Sequence, residues 1–126
     1  RIIMKKTTVL LTIISLIIGA GIGCNQDNPT EVRWYNQSTK YLNEIIWSRN
    51  IGTQPNELNY DQKWTRGYDN SDRTEFKEVN LLNGYVYAIV EENGDFVLAE
   101  AIIDTSNNVS LNEGNSQEYI ITQISD

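Results

Sequence analysis

From Glu31 onward the apolar residues fall in short runs, separated by clusters of Asn, Asp, Gly and Ser, and no segment sustains a helical apolar period over three turns. Runs rich in Val, Ile, Tyr, Trp and Thr predict strands over 31–36, 42–49, 63–68, 73–80, 85–92, 95–104 and 117–125, with a further short one near 108–112. Seven or eight strands in about 100 residues predict an all-β domain, a small antiparallel β-sandwich or barrel. Residues 50–62 form the longest loop, in which Asn56–Asp61 could add a short strand.

The clearest local signal is a hairpin. Asn93-Gly94 accepts the two positive φ values of a type I′ turn, so Glu92 should pair with Asp95 and fix the register. Val90 then faces Val97, Ala88 faces Ala99 and Val86 faces Ala101, an apolar face that belongs against a core. The small alanines leave room for a bulky partner such as Trp34 or Trp47. The opposite face is mixed, with Tyr85 near Ile102, Tyr87 near Glu100 and Ile89 near Leu98, and suits partial cover by a loop. At the tip Glu91, Glu92 and Asp95 crowd three carboxylates that need solvent or a cation between them.

Elsewhere Val32 and Trp34 share one face, as do Ile45 and Trp47, while Leu42 and Ile46 take the other. At the C-terminus both faces are apolar, Ile120 and Ile124 on one side and Tyr119 and Ile121 on the other, the pattern of a central strand. Three tryptophans, seven tyrosines and two phenylalanines all occur from Trp34 onward. Burying such rings, at roughly 25 cal/mol per Å², must supply most of the stability of a domain with one cysteine and hence no internal disulfide.

The first residues follow a different pattern. Met4-Lys5-Lys6 makes a better beginning than Arg1, and Thr7–Ile18 is a mostly apolar run before Gly19-Ala20-Gly21-Ile22-Gly23-Cys24. A basic start, a short apolar stretch and small residues before a cleavage point describe an exported signal peptide. An uncleaved membrane helix is the rival reading. Its span of Thr7–Gly23 is at the lower limit of length, and its glycines suit a peptidase better.

Charge sharpens the division. Seven basic and seventeen acidic residues follow Gly23, a net charge of −10 over Cys24–Asp126. Such a surface repels phosphate backbones, so nucleic acid is excluded as a partner, and it should keep the domain off anionic lipid. The chain has no histidine, which removes Ser-His-Asp and Cys-His catalysis and His-ligated metals.

The leader resembles the bacterial lipoprotein signal peptide, on the residues Gly21-Ile22-Gly23-Cys24. The resemblance implies cleavage between Gly23 and Cys24 and a diacylglyceryl group on the Cys24 thiol, usually with acylation of the new amino terminus. It departs from the family at Gly21, where Leu, Val or Ile is usual. It implies a membrane partner held through Cys24 and a cell-envelope location facing the periplasm or exterior, at the outer membrane in a diderm cell. Each buried methylene contributes about 0.8 kcal/mol, so two or three acyl chains hold a soluble domain for long periods. The chain then divides into a signal peptide at 1–23, a lipidated cysteine and short tether at 24–30, and a β domain at 31–126. The tether reaches at most roughly 20 Å. The mature part also loosely resembles small β-sandwich lipoproteins, on Asn36-Gln37-Ser38, Ile45-Ile46-Trp47, Trp64 and Gly84-Tyr85-Val86-Tyr87, a likeness that implies a fold and no activity.

Trp64, Arg66, Tyr68, Tyr85, Tyr87 and Glu100 are the candidate ligand-binding residues, because flat rings with a few polar groups stack on sugars or grip peptides. Packing is the competing reading for every ring in that set. Asp69-Asn70-Ser71-Asp72 and Glu91–Asp95 have the oxygen content of calcium loops, but Arg73 would fall at a ligand position and the second stretch is a turn, so no metal and no cofactor is expected. Paired carboxylates can hydrolyse glycosides, yet the acids follow no motif and no catalytic residue is assigned. Asn36-Gln37-Ser38 and Asn108-Val109-Ser110 match the glycosylation pattern by chance in a bacterial setting. The expectation is a lipid-anchored, non-catalytic binding or structural module, with an envelope protein or glycan as partner. The alternative is an inhibitor-like or small-ligand module whose acidic surface engages a cationic partner.

Overall fold

The computed structural model describes residues 28–125. Gly23 and Cys24, where cleavage and lipidation are expected, lie outside them. The described chain is all-β, nine strands in two sheets around one core. In chain order these are β1 (Glu31–Asn36), β2 (Glu44–Ser48), β3 (Tyr60–Trp64), β4 (Lys77–Glu78), β5 (Asn83–Glu92), β6 (Asp95–Ile102), β7 (Asn108–Ser110), β8 (Ser116–Ile121) and β9 (Gln123–Ser125). Among the described residues a 3-10 turn covers Pro55–Glu57. The smaller sheet has the order β4-β1-β8, and the larger runs β3-β2-β5-β6-β9 with β7 also paired to β5.

The core lies between the sheets. Val32 and Trp34 from β1 and Ile121 from β8 meet Ile45, Trp47, Trp64, Val86, Ala88 and Val90 from the larger sheet. Trp34 is its centre. Its ring lies 5.8 Å from Trp47, 5.7 Å edge-on to Trp64 and 5.8 Å from Tyr119. Offset and edge-on contacts of this kind are the favourable geometry for large rings.

The hairpin forms as its turn residues demand. Asn93 and Gly94 both have positive φ, and Glu92 is level with Asp95, Val90 with Val97 and Ala88 with Ala99. Lys40 reaches Glu92 at 3.4 Å, supplying a cation at the crowded tip. The β5–β6 pairing stops at Tyr87 and Glu100, however, so Tyr85 does not sit beside Ile102. It pairs with Asn108 of β7, because Asn107 has taken over the edge of β5 at Val86.

Four further strand boundaries differ from the sequence pattern. The 42–49 run is extended only over Glu44–Ser48, with Leu42 joined to Tyr68 by a lone bridge. The predicted 63–68 strand lies earlier, at Tyr60–Trp64, since Gly67 adopts a positive φ that ends the extension. Of 73–80 only Lys77–Glu78 is regular. Thr74 donates its N–H to the Trp34 carbonyl, and its Oγ1 accepts the Trp34 N–H, so a hydroxyl replaces the carbonyl that a ladder would use there. The 117–125 run is no central strand: it divides at Thr122 into β8, parallel to β1, and β9, antiparallel to β6, each at the margin of a different sheet. Both its faces are apolar because Ile121 and Ile124 enter the core from different sheets while Ile120 stays exposed.

Thr30 belongs to the folded domain. It is buried, its carbonyl accepts from Val79 N–H at 2.9 Å, and its Oγ1 accepts from Gly114 N–H at 2.8 Å.

Candidate functional site

The six candidate ligand-binding residues separate into two groups on opposite faces of the larger sheet. Trp64 pairs with Ile45 and points into the core, whereas Tyr87 pairs with Ile46 and points away from it. Strand alternation enforces this, because residues one position apart on β2 face opposite ways.

Trp64, Arg66 and Tyr68 do meet, around a residue the sequence did not single out. Glu75 accepts the Trp64 indole N–H on its carbonyl at 2.9 Å, and its Oε1 accepts from both Tyr68 OH and Arg66 Nη2 at 3.3 Å. Lys77 Nζ stands 3.8 Å from the other carboxylate oxygen. Burial pushes the Glu75 carboxyl up, but its own N–H, the Arg66 and Lys77 charges and the Tyr68 hydroxyl outweigh it and leave it below the ordinary glutamate range. Burial and the Glu75 charge raise Tyr68, and its hydrogen bond with Tyr68 raises Arg66. Trp64 and Tyr68 are 0% and 1% exposed, so neither ring offers a free face to a ligand. The group works as a structural clasp with Arg66 on its rim. No motif in the sequence marks Glu75: Trp64, Arg66 and Tyr68 alternate along one stretch, and it is the turn after them that brings Glu75 back beside all three.

The outer group is different. Tyr85, Tyr87 and Glu100 join Ile46, Ile89 and Leu98 on the outward face of β2, β5 and β6, and Leu58 folds over them. The loop that carries Leu58 is built by its own side chains. Asn50 Nδ2 donates to Glu57 O and its Oδ1 accepts from Asn59 N–H, while Glu57 Oε1 accepts from the N–H groups of Thr53 and Gln54. The Thr53 bonds hold the Glu57 carboxyl below its ordinary range. Tyr87 is only 1% exposed, and its hydroxyl accepts from Gly52 N–H at 3.1 Å, pinning the loop to the sheet.

The loop leaves a depression on each side. One, of about 340 Å³, is lined by Gly52, Thr53, Tyr87, Leu98 and Glu100. The other, of about 380 Å³, lies among Glu44, Pro55, Lys63, Ile89 and Phe96, with Glu44 and Lys63 ion-paired at 3.6 Å and Phe96 64% exposed. An exposed ring beside an apolar floor and a charged pair is equipped to stack on a flat partner and orient its polar groups. Phe96 was not among the candidates, although the type I′ register already placed it on this face next to Glu91.

The acidic stretches are turns. Asp69 N–H donates to Asp72 Oδ2, Asp69 Oδ1 accepts from Asn70 N–H, and Asn70 Nδ2 donates to the Ser38 carbonyl. Among the described residues no group of three or more Asp, Glu, Cys or His could hold a metal ion. Asn36, the first residue of one glycosylation-like triplet, is fully buried. Its Nδ2 donates to the carbonyls of Lys40, Tyr68 and Asp69, and its Oδ1 accepts from Ser38 N–H and Oγ.

No family model matches the chain, and no curated protein or solved structure is significantly similar to it. Among the described residues no helix is long and apolar enough to cross a membrane.

Proposed function

We propose that the chain is a lipid-anchored protein of the bacterial cell envelope whose β-sandwich is a non-catalytic binding or structural module. The observation that carries the binding half is the depression beside Phe96, where an exposed ring, an apolar floor and the Glu44–Lys63 pair share one side of the larger sheet. A carbohydrate or other flat small ligand fits that combination, the ring stacking and the pair orienting hydroxyls. The anchoring half rests on the lipobox-like Gly21-Ile22-Gly23-Cys24. With Cys24 anchored, the short stretch from it to the buried Thr30 would hold the domain within roughly 20 Å of the lipid.

Two measurements test the reading. Cells given a fatty-acid analogue should label the wild-type chain and not Cys24→Ala; equal labelling refutes the anchor. The full chain should bind soluble cell-wall glycan fragments, and Phe96→Ala should weaken that binding without lowering the melting temperature. Turnover of those fragments would refute a non-catalytic role.

A further inference from the structure

Strand β6 has an open margin beside the hairpin. Asn93-Gly94 is a two-residue turn, so the flanking pair Glu92–Asp95 exchanges both backbone hydrogen bonds, and Val90–Val97 and Ala88–Ala99 repeat the exchange. The N–H and C=O groups of Phe96, Leu98 and Glu100 therefore point away from β5. The same alternation holds further on, where the Ile102 carbonyl accepts the Thr122 N–H from that outer side. Strand β9 meets β6 only at Glu100, Ala101 and Ile102. Among the described residues the backbone groups of Phe96 and Leu98 are left with no partner from a strand or a side chain. The opposite margin of the larger sheet, at β3, is covered. There Lys77 Nζ donates to the Lys63 carbonyl at 2.8 Å, and the N–H groups of Asn80 and Leu81 donate to the Asp61 carboxylate.

An unpaired row of N–H and C=O groups in extended geometry is a template for one more strand. Asp95–Ala99 carries no Pro, and no bulge interrupts its pairing with β5. Charge says which strand fits. Glu91, Asp95 and Glu100 are exposed and, among the described residues, enter no ion pair, while Lys40 at the tip is engaged with Glu92. Pairing Phe96 with Leu98 of a second copy would set Glu100 of each chain level with Gly94 of the other, against an acidic hairpin tip, so a second copy is disfavoured. A cationic segment has the complementary sign along the whole margin. Alternation then decides its pattern. Residues bonded to Phe96 and Leu98 would present their side chains on the outward face. A Lys or Arg there lies over the exposed Phe96 ring or beside Glu100, which lines a depression with Leu98. Residues between them face inward beside Val97, which is partly buried against the core, so apolar side chains belong there.

We propose that β6 accepts an extended cationic protein segment as an added strand, with Lys or Arg alternating with apolar residues. The test uses the full chain, ¹⁵N-labelled in neutral detergent, with the Phe96 and Leu98 backbone amides as reporters. Its probes are a heptapeptide of alternating Lys and Val with Lys at both ends, and the same peptide with Glu for Lys. Two further forms are methylated on backbone nitrogens, one at the two central Lys residues and one at two Val residues. Support is a saturable downfield shift and slowed exchange of both amides with the Lys peptide. Binding should be about tenfold weaker with the Lys nitrogens methylated, unchanged with the Val nitrogens methylated, and absent with the Glu peptide. The proposal is overturned if methylating either set has the same effect, if the Lys and Glu peptides bind alike, or if no peptide moves these amides. It is equally overturned if both amides already exchange slowly in a dimer of the peptide-free chain. The comparison needs no variant, and it reads the same whether or not Cys24 carries lipid. Glycan fragments are titrated separately, so this proposal and the reading of the Phe96 depression fail independently.

Discussion

Asn107 takes both backbone groups of Val86. Its carbonyl accepts the Val86 N–H at 2.9 Å and its side-chain Nδ2 donates to the Val86 carbonyl at 3.1 Å. One residue thus stands in for a paired strand at the point where β5 exchanges β6 for β7. Both residues are buried, so a lost partner cannot be replaced by bulk water. Asn107→Ala should strand the Val86 carbonyl and cost about 1–3 kcal/mol, read as a lower urea midpoint with unchanged slope. A midpoint equal to wild type would mean that water enters there freely.

Trp47 lies buried in the core level with Val86 of β5 and also donates its indole N–H to the Leu81 carbonyl at 3.1 Å. Trp47→Ala should cost about 3–5 kcal/mol, mostly as an unfilled cavity. Trp47→Phe keeps most of the volume and loses the N–H, so its melting temperature should fall between the other two. If Phe were as damaging as Ala, the hydrogen bond would outweigh the packing.

Asn36 shows why the early polar triplet is better read as architecture. Three carbonyls surround its amide nitrogen, joining the 36–40 turn to the 68–72 turn. Asn36→Asp brings a carboxylate oxygen against those carbonyls with no donor to relieve it. Unless it stays protonated, the loss should reach about 3 kcal/mol or more at neutral pH. Chemical denaturation at pH 7 and near pH 4 separates the cases, because the aspartate variant should recover part of its stability at the lower pH.

Glu75 is held below its ordinary pKa in the folded state. A depressed carboxyl contributes stability that is fully present above the unfolded value and is lost as the pH falls through the folded one. Wild type should therefore lose stability across that acid range relative to Glu75→Gln, and the two curves should run parallel from neutral pH to the top of it. The carboxylate is 45% exposed, so solvent screens the effect and only its sign and pH window are predicted. Parallel curves through the acid range would show that Arg66 and Lys77 stabilise the carboxylate too weakly to register.

How much of this was legible in the chain depended on distance along it. The hairpin at Asn93-Gly94 is set by the φ preferences of two adjacent residues, so its register could be read directly from Glu92–Asp95 down to Tyr87–Glu100, but not beyond, where β7 and Asn107 take the places expected of Ile102 and Ala101 beside Tyr85 and Val86. The apolar alternation of β1 and β2 likewise put Val32 with Trp34 and Ile45 with Trp47, pairs that both lie in the core, but Leu42 joins them there instead of sharing a face with Ile46, because it precedes the regular strand. Composition fixed the all-β class for the same reason: β-branched and aromatic runs too short for helices have one way to bury themselves.

Strand order, by contrast, is a matter of which distant edges meet, and nothing local encodes it. Trp64 and Tyr87 looked like neighbours in one aromatic surface, yet β2 lies between their strands and turns them to opposite faces. The division of the last strand at Thr122 needed two sheets to exist before it could join both. The sharing of Glu118 by Arg33 and Arg73 spans 85 and 45 residues of sequence. A carboxylate pairs with whatever cation the fold sets within about 3 Å, and sequence spacing carries no information about that distance.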